Sequence, residues 1–467
     1  MNQVSDEESG HPLTAELRDE YTQPQGGLEE PPTTFINRLK YLGPSVIISA
    51  TIVGSGEIVL TASLGAAVGY SMLWWVLMSC WSKSILQAEL ARYVVLSGDT
   101  YLRAINRAPG KIPGPRGPFA WTIGLGVLAF FTGITGLGGL IGGAGQAIEL
   151  VFPEINAVYA VAGLAVLTAV LLASGSYHRL EKFMLAMVFT FTMLTVASAI
   201  LMQGTEYATR LSDVASGFQF EFHVEFAVLA LAAYGYTGVN AGEISAYSYW
   251  CIEKGYPARI GPYEDTPEWR QRAHGWLKVL RTDVWITLVI LTMATIPFYF
   301  LGAGVLHQIG TEPEGTDMVA ALSSMFTETL GPWSLWAFAV GAFCILYSSS
   351  VAAVAGGGRY IPDYLMELGY LKRERVDVRY AVIRWYAIVA PFIGLALYAG
   401  FQRPVLLVTI AASTAAVMLP IQSGMTLYLQ RRLPPDMRPG VVAHRFLQLT
   451  FVFHAVMACL VLYFVVF

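Results

Sequence analysis

Gly54-Ser55-Gly56-Glu57-Ile58 and Asn240-Ala241-Gly242-Glu243-Ile244 are two places where this chain sets a carboxylate behind glycine inside an apolar run. A helix needs about 20 apolar residues to cross a bilayer, and both runs are that long. An ionised acid at the centre of such a helix costs roughly 2.5–3.5 kcal/mol on insertion scales, so intramembrane acids line a pathway or a binding site. Glycine makes local unwinding cheap; Glu57 follows Gly54 and Gly56, and Glu243 follows Gly238 and Gly242. Interrupted helices at matching places in two halves of a chain mark a membrane carrier with its site near the bilayer midplane.

The rest of the composition agrees with a polytopic membrane protein. Of 467 residues, 55% are hydrophobic and 13% charged, with a mean hydropathy of +0.53; soluble domains carry about 25% charged residues. There is no basic stripe interleaved with aromatics, which argues against nucleic-acid binding. Cys80, Cys251, Cys344 and Cys459 form no CxxC pair and read as packing residues, and no two of the seven His stand at i, i+4. No nucleophile elbow, phosphate loop or zinc helix is present. The chain is therefore not expected to be an enzyme, and no cofactor is implied.

Eleven spans are expected, over 43–69, 72–96, 119–152, 156–173, 180–203, 224–251, 282–306, 331–357, 380–401, 404–429 and 446–467. With the N-terminus inside, one set of loops holds almost every interspan Lys and Arg, from Arg103 and Arg107 to Arg438 and Arg445, whereas the other holds Arg210 and Arg403. The positive-inside rule then gives a cytoplasmic N-terminus and an external C-terminus, in a multi-pass protein of the plasma membrane. Residues 1–33 are polar and acidic and read as a disordered cytoplasmic tail. Residues 34–467 form a single transmembrane domain, with repeats over about 43–203 and 224–429 and an extra helix over 446–467. Seven glycines between Gly133 and Gly145 place the third span inside the bundle, where missing side chains let backbones approach.

Glu57 and Glu243, with carbonyls freed by unwinding, make an oxygen-donor cation site; they are the candidate metal ligands. Gly54, Ser55, Val239 and Asn240 complete the candidate binding set, and Thr51, Thr237, Ser348 and Ser349 are candidates to line its cavity. Hard cations such as Mg²⁺ or Mn²⁺ suit oxygen ligands. Lys83 sits midway along the second span, too deep to snorkel. It needs an anionic partner, for which Glu57 or Glu243 is a candidate, and its ammonium could take the place of a coupling cation. Glu89 and Arg92 stand at i, i+3 and can pair with each other.

Gly43-Pro44 opening the first span, Gly69-Tyr70-Ser71-Met72-Leu73-Trp74 before the second, Gln87, Arg179-Leu180-Glu181, Ser348-Ser349 and Leu419-Pro420 together resemble the Nramp family of divalent-metal transporters. The resemblance covers all eleven spans and implies an all-α membrane protein of the LeuT-type fold, with an inverted 5+5 repeat and broken helices 1 and 6. The departures fall at the site. Gly54-Ser55-Gly56-Glu57 stands where the family has Asp-Pro-Gly-Asn, and Val239-Asn240-Ala241 where it has Met-Pro-His. The family's acidic proton-pathway positions align with Leu137 and Leu140.

The function implied is alternating-access transport of a divalent cation of the Mg/Mn type, proton-linked or facilitative. The alternative is a carrier of a small organic solute, with Lys83 and the two glutamates supplying charge or proton coupling. The expected partners are the lipid bilayer and the cargo; the sequence does not fix an oligomeric state.

Overall fold

Long apolar stretches bounded by glycine, proline and charge fold as helices because a backbone in lipid must satisfy its own polar groups. The computed structural model describes residues 27–41, 54, 56–174, 177–313 and 315–466, and these are almost wholly helical. The helices of ten residues or more are α1 (Gly56–Val68), α2 (Leu73–Ser97), α3 (Trp121–Val151), α4 (Ala157–Ser174), α5 (Tyr177–Leu201), α6 (Ala227–Tyr236) and α7 (Ala241–Glu253). They continue as α8 (Pro267–Leu301), α9 (Met318–Leu330), α10 (Ser334–Glu367), α11 (Val376–Phe401), α12 (Pro404–Gln430) and α13 (Val441–Val466). Among the described residues, six are long and apolar enough to cross a membrane: α3, α8 with its extension to Ile309, α10, α11, α12 and α13. Helix α2 is long enough, but carries Lys83, Glu89 and Arg92.

The expected break in the sixth span is present. Helix α6 ends at Tyr236 and α7 begins at Ala241, with Gly238 at φ +71 between them. In the first span, α1 starts as a π-helix over Gly56–Thr61 and continues as α-helix; its N-terminal half, with Thr51, Ser55 and Gly43-Pro44, lies outside the described residues.

Several boundaries differ from the sequence reading. Helix α8 starts at Pro267, well before residue 282, because Thr266 caps it by accepting from the Trp269 N–H and Pro267 takes the first turn. A search for apolar runs passes over that polar extension. Helix α10 runs on to Glu367, and α9 forms between the spans expected at 282–306 and 331–357. Of the tail, residues 1–26 lie outside the described residues. The segment after them is docked: the Glu29 N–H donates to the Arg259 carbonyl, its carboxylate pairs with the Arg259 guanidinium at 2.9 Å, and its carbonyl accepts from the Trp276 indole.

Helix α3 packs along α12, α10, α11 and α4, as its glycines imply. A Cβ on Gly139 would lie 2.7 Å from the Pro404 carbonyl oxygen, and one on Gly145 2.8 Å from that of Ala157. A second backbone contact joins α1 to the end of α8, which is π-helical over Gly302–Leu306. A Cβ on Gly65 would lie 2.7 Å from the Tyr299 carbonyl oxygen, and one on Gly302 would run into that of Ala62. Ion pairs join α10 to its neighbours, Arg359–Glu253 of α7 at 2.6 Å and Asp363–Arg379 of α11 at 3.0 Å, and Arg92–Glu89 at 2.8 Å pairs within α2.

Replacing Gly302 with Ala forces α1 and α8 apart, an overpacking cost of about 1–3 kcal/mol. Its thermal unfolding midpoint in detergent should fall below that of wild type. Gly163→Ala, where a Cβ meets nothing within 4 Å, should not lower it. Equal midpoints for the two variants would contradict the backbone contact.

Candidate functional site

A helix interrupted inside a bilayer leaves unpaired N–H groups at one end and C=O groups at the other. Glu57 is fully buried and answers the N–H groups. Its Oε1 accepts from the Gly238 N–H at 3.0 Å and from the Thr295 hydroxyl at 3.3 Å, and its Oε2 accepts from the Gly54 N–H at 3.2 Å. It thereby caps its own helix and clasps the break of the other. Gly56 makes this reach short, since a Cβ there would lie 2.5 Å from the Tyr236 carbonyl oxygen. The Thr61 hydroxyl donates to the Gly56 carbonyl at 2.9 Å and, its one proton spent, accepts from the Thr237 hydroxyl at 2.7 Å.

Lys83, also fully buried, answers the C=O groups. Its Nζ donates to the carbonyls of Tyr234 at 2.7 Å and Thr237 at 2.6 Å, and lies 5.2 Å from the centroid of the Tyr234 ring. Among the described residues it forms no ion pair with Glu57 or Glu243. The partner of this ammonium is the end of α6, where the helix macrodipole is negative. A sequence search for acids does not see such a partner.

Glu243 makes the capping box of α7: its Oε2 accepts from the Asn240 N–H at 2.8 Å, and Asn240 Oδ1 accepts from the Glu243 N–H at 3.0 Å. It differs from Glu57 in being half-buried, and Gly242 beside it is exposed. Gly242 and Glu243 line a half-open cavity of about 260 Å³ between α3, α6, α7, α10, α11 and α12. Among the described lining residues Glu243 is the one charged group.

The cavity wall is largely aromatic, with Tyr101, Phe130, Tyr236, Tyr360, Tyr364 and Tyr386. Its polar groups are Asn240, Ser245, Ser349, Thr414 and Gln422, and its one thioether is Met418. Gln422 Nε2, with two protons to give, lies 2.8–3.0 Å from three acceptors: the Tyr101 hydroxyl, the Ala241 carbonyl and the Ser245 hydroxyl. Its Oε1 is buried without a partner, an acceptor left for a ligand.

Of the residues singled out from sequence, Asn240, Glu243 and Ser349 line this cavity. Glu57, Thr237 and Lys83 are joined in the buried network behind it, Gly54 contributes its N–H to that network, and Val239 is buried in the core. Ser348 donates to the Ile345 carbonyl of its own helix. Thr51 and Ser55 lie outside the described residues. The cavity read from sequence as lined by oxygen donors also has the Met418 thioether in its wall, and Gln422 and the tyrosines were not read as site residues. Among the described residues no group of three or more His, Cys, Asp or Glu is placed to hold a metal ion.

The family described as natural resistance-associated macrophage protein-like, Nramp, matches residues 45–466. The uncharacterized protein PM0681 of Pasteurella multocida is 23% identical over 398 residues, 79% of this chain and 83% of its own length. The crystal structure of a mutant of the Eremococcus coleocola manganese transporter superposes with a TM-score of 0.65 at 15% identity, covering 94% of this chain and 88% of that one. Mhp1, a nucleobase-cation-symport-1 family transporter, superposes in its closed conformation with a TM-score of 0.54 at 16% identity, covering 90% and 89%. At these identities the likeness to the solved structures is one of fold.

Glu57→Ala strands the N–H groups of Gly238 and Gly54 and the Thr295 hydroxyl, at about 1–3 kcal/mol for each unsatisfied buried group. Glu243→Ala loses one capping bond at a half-buried position. Thermal unfolding in detergent should rank Glu57→Ala far below Glu243→Ala, and equal losses would refute the division between a buried clasp and a cavity carboxylate.

Proposed function

This chain belongs to the Nramp family, and from that premise we propose that it is a secondary transporter carrying a divalent metal cation across the membrane by alternating access. The observation that carries the reading is the carboxylate of Glu243, the one acid among the described lining residues, set at a helix break and facing a half-open cavity that Gln422, with its unpartnered Oε1, also lines. The N-terminus of α7 brings positive potential to this wall, and Glu243 offsets it. Without a dense ligand cluster, the cation keeps much of its water, as Mg²⁺-like ions do when one or two carboxylates hold them. At roughly 30 Å³ per water, a 260 Å³ chamber has room for such a hydrated ion. The Met418 thioether, a softer donor, favours Mn²⁺ over Mg²⁺.

Eleven spans, with the N-terminus cytoplasmic and the C-terminus outside in the plasma membrane, agree with the distribution of Lys and Arg. The domain is a single one, with repeats over about 43–203 and 224–429 and an extra helix at the end. The glutamates keep different tasks: Glu243 binds the cation, and Glu57 holds the two broken helices in register behind it. Proton linkage belongs to the same proposal, since Glu243 is the titratable group at the cavity.

The aromatic wall favours a second reading, a small organic cation held by cation–π contact with the tyrosines and by Glu243.

In liposomes, Glu243→Gln should cut Mn²⁺ uptake at least tenfold while leaving the protein folded. Uptake at the wild-type rate would overturn the metal reading. Met418→Leu should reduce the preference for Mn²⁺ over Mg²⁺ in competition assays, and an unchanged ratio would remove the thioether from the site. Displacement of Mn²⁺ by alkylammonium ions would mark the organic-cation reading.

A further inference from the structure

Helix α6 should continue through a hydrogen bond from the Gly238 N–H to the Tyr234 carbonyl. Gly238 instead turns to φ +71 and gives its N–H to Glu57, so the Tyr234 carbonyl is released. Three oxygens then meet at the end of α6. They are the carbonyls of Tyr234 and Thr237 and the Ser79 hydroxyl, which lies 3.0 and 2.7 Å from those two carbonyls. The Lys83 ammonium lies against the same two carbonyls, over the Tyr234 ring. Carbonyls at the C-terminal end of a half-helix are what carriers with broken helices use to coordinate Na⁺ or a proton. A buried ammonium ordinarily stands beside a carboxylate, whereas this one donates to two neutral carbonyl oxygens.

We propose that the carbonyl end of α6 is a monovalent-cation site that this chain fills permanently with its own Lys83 ammonium, so that its cycle runs with no free alkali cation bound there. A tethered cation cannot dissociate. Helix α2, which carries Lys83, therefore stays fastened to α6 throughout the cycle. The charge that a coupling ion would bring and remove is constant. The inference does not depend on the cargo.

The test uses the purified full-length protein in detergent, with thermal unfolding followed in LiCl, NaCl or KCl against choline chloride at constant ionic strength. Wild type should unfold at the same midpoint in all four salts. Lys83→Ala leaves the three oxygens open and should unfold at a lower midpoint, with a saturable recovery of at least half the loss in one of the alkali chlorides and none in choline. Adding Ser79→Ala should weaken that recovery. A Lys83→Ala midpoint that is the same in alkali and choline salts would overturn the proposal and leave Lys83 a plain helix cap. The wild-type arm decides independently of the variants, because a saturable response of the native protein to an alkali cation would also overturn it. Neither arm uses transport, so failure of the metal-cargo reading leaves the result intact.

Discussion

One absent backbone hydrogen bond, between the Tyr234 carbonyl and the Gly238 N–H, organises the centre of this protein. In water its two halves would be solvated; in hydrocarbon each must find a partner in the protein. Glu57 takes the donor and Lys83 takes the acceptor, so a pair of opposite charges is inserted into a single turn of main chain. Neither charge is neutralised by direct contact with the other. Each is held by the dipoles it completes, which makes the interruption of α6 a built feature. The close approach of Gly56 to Tyr236 and the Thr61–Thr237 hydroxyl bond both follow from bringing the two breaks within reach of one carboxylate.

The same tripeptide, Gly-Glu-Ile, meets two fates in the two halves. Locally the acids do one thing: each reaches back to the backbone N–H of the residue three places before it. What differs is the preceding glycine. Gly56 is pressed against a neighbouring backbone, so Glu57 is sealed in; Gly242 is open to the cavity, so Glu243 keeps an oxygen for a ligand. Equivalent sequence has produced one structural acid and one available acid.

Much of the fold was legible because lipid enforces simple rules. Apolar length marked most of the helices, glycine density placed α3 inside the bundle, and the Gly238 break appeared where the sixth span was expected to open. The site was less legible. Glu57 and Glu243 read as matching ligands since recurrence of an acid suggests chemistry. The spacing Asn240-x-x-Glu243 is that of a capping box, which does not by itself tell a structural acid from a ligand. The partner of Lys83 could not be found among side chains because it is main chain. Gln422, Met418 and the tyrosines arrive from segments far apart in sequence, and tyrosine is common here, so no local pattern marks them. The start of α8 was missed for a different reason: its first turns are capped and charged, and an apolar window ignores them.

The contact of Gly65 and Ala62 with Tyr299 and Gly302 is made of peptide groups on both sides. Barriers built from bulky residues leak whenever a rotamer swings aside, on the timescale of side-chain motion. A barrier of bare main chain has no hinged part. It can open by displacement of whole helices and not by the flicker of one residue. At this seam, then, tightness to water and small ions is set by slow rigid-body motion, and the thermal restlessness of individual side chains has no route through it.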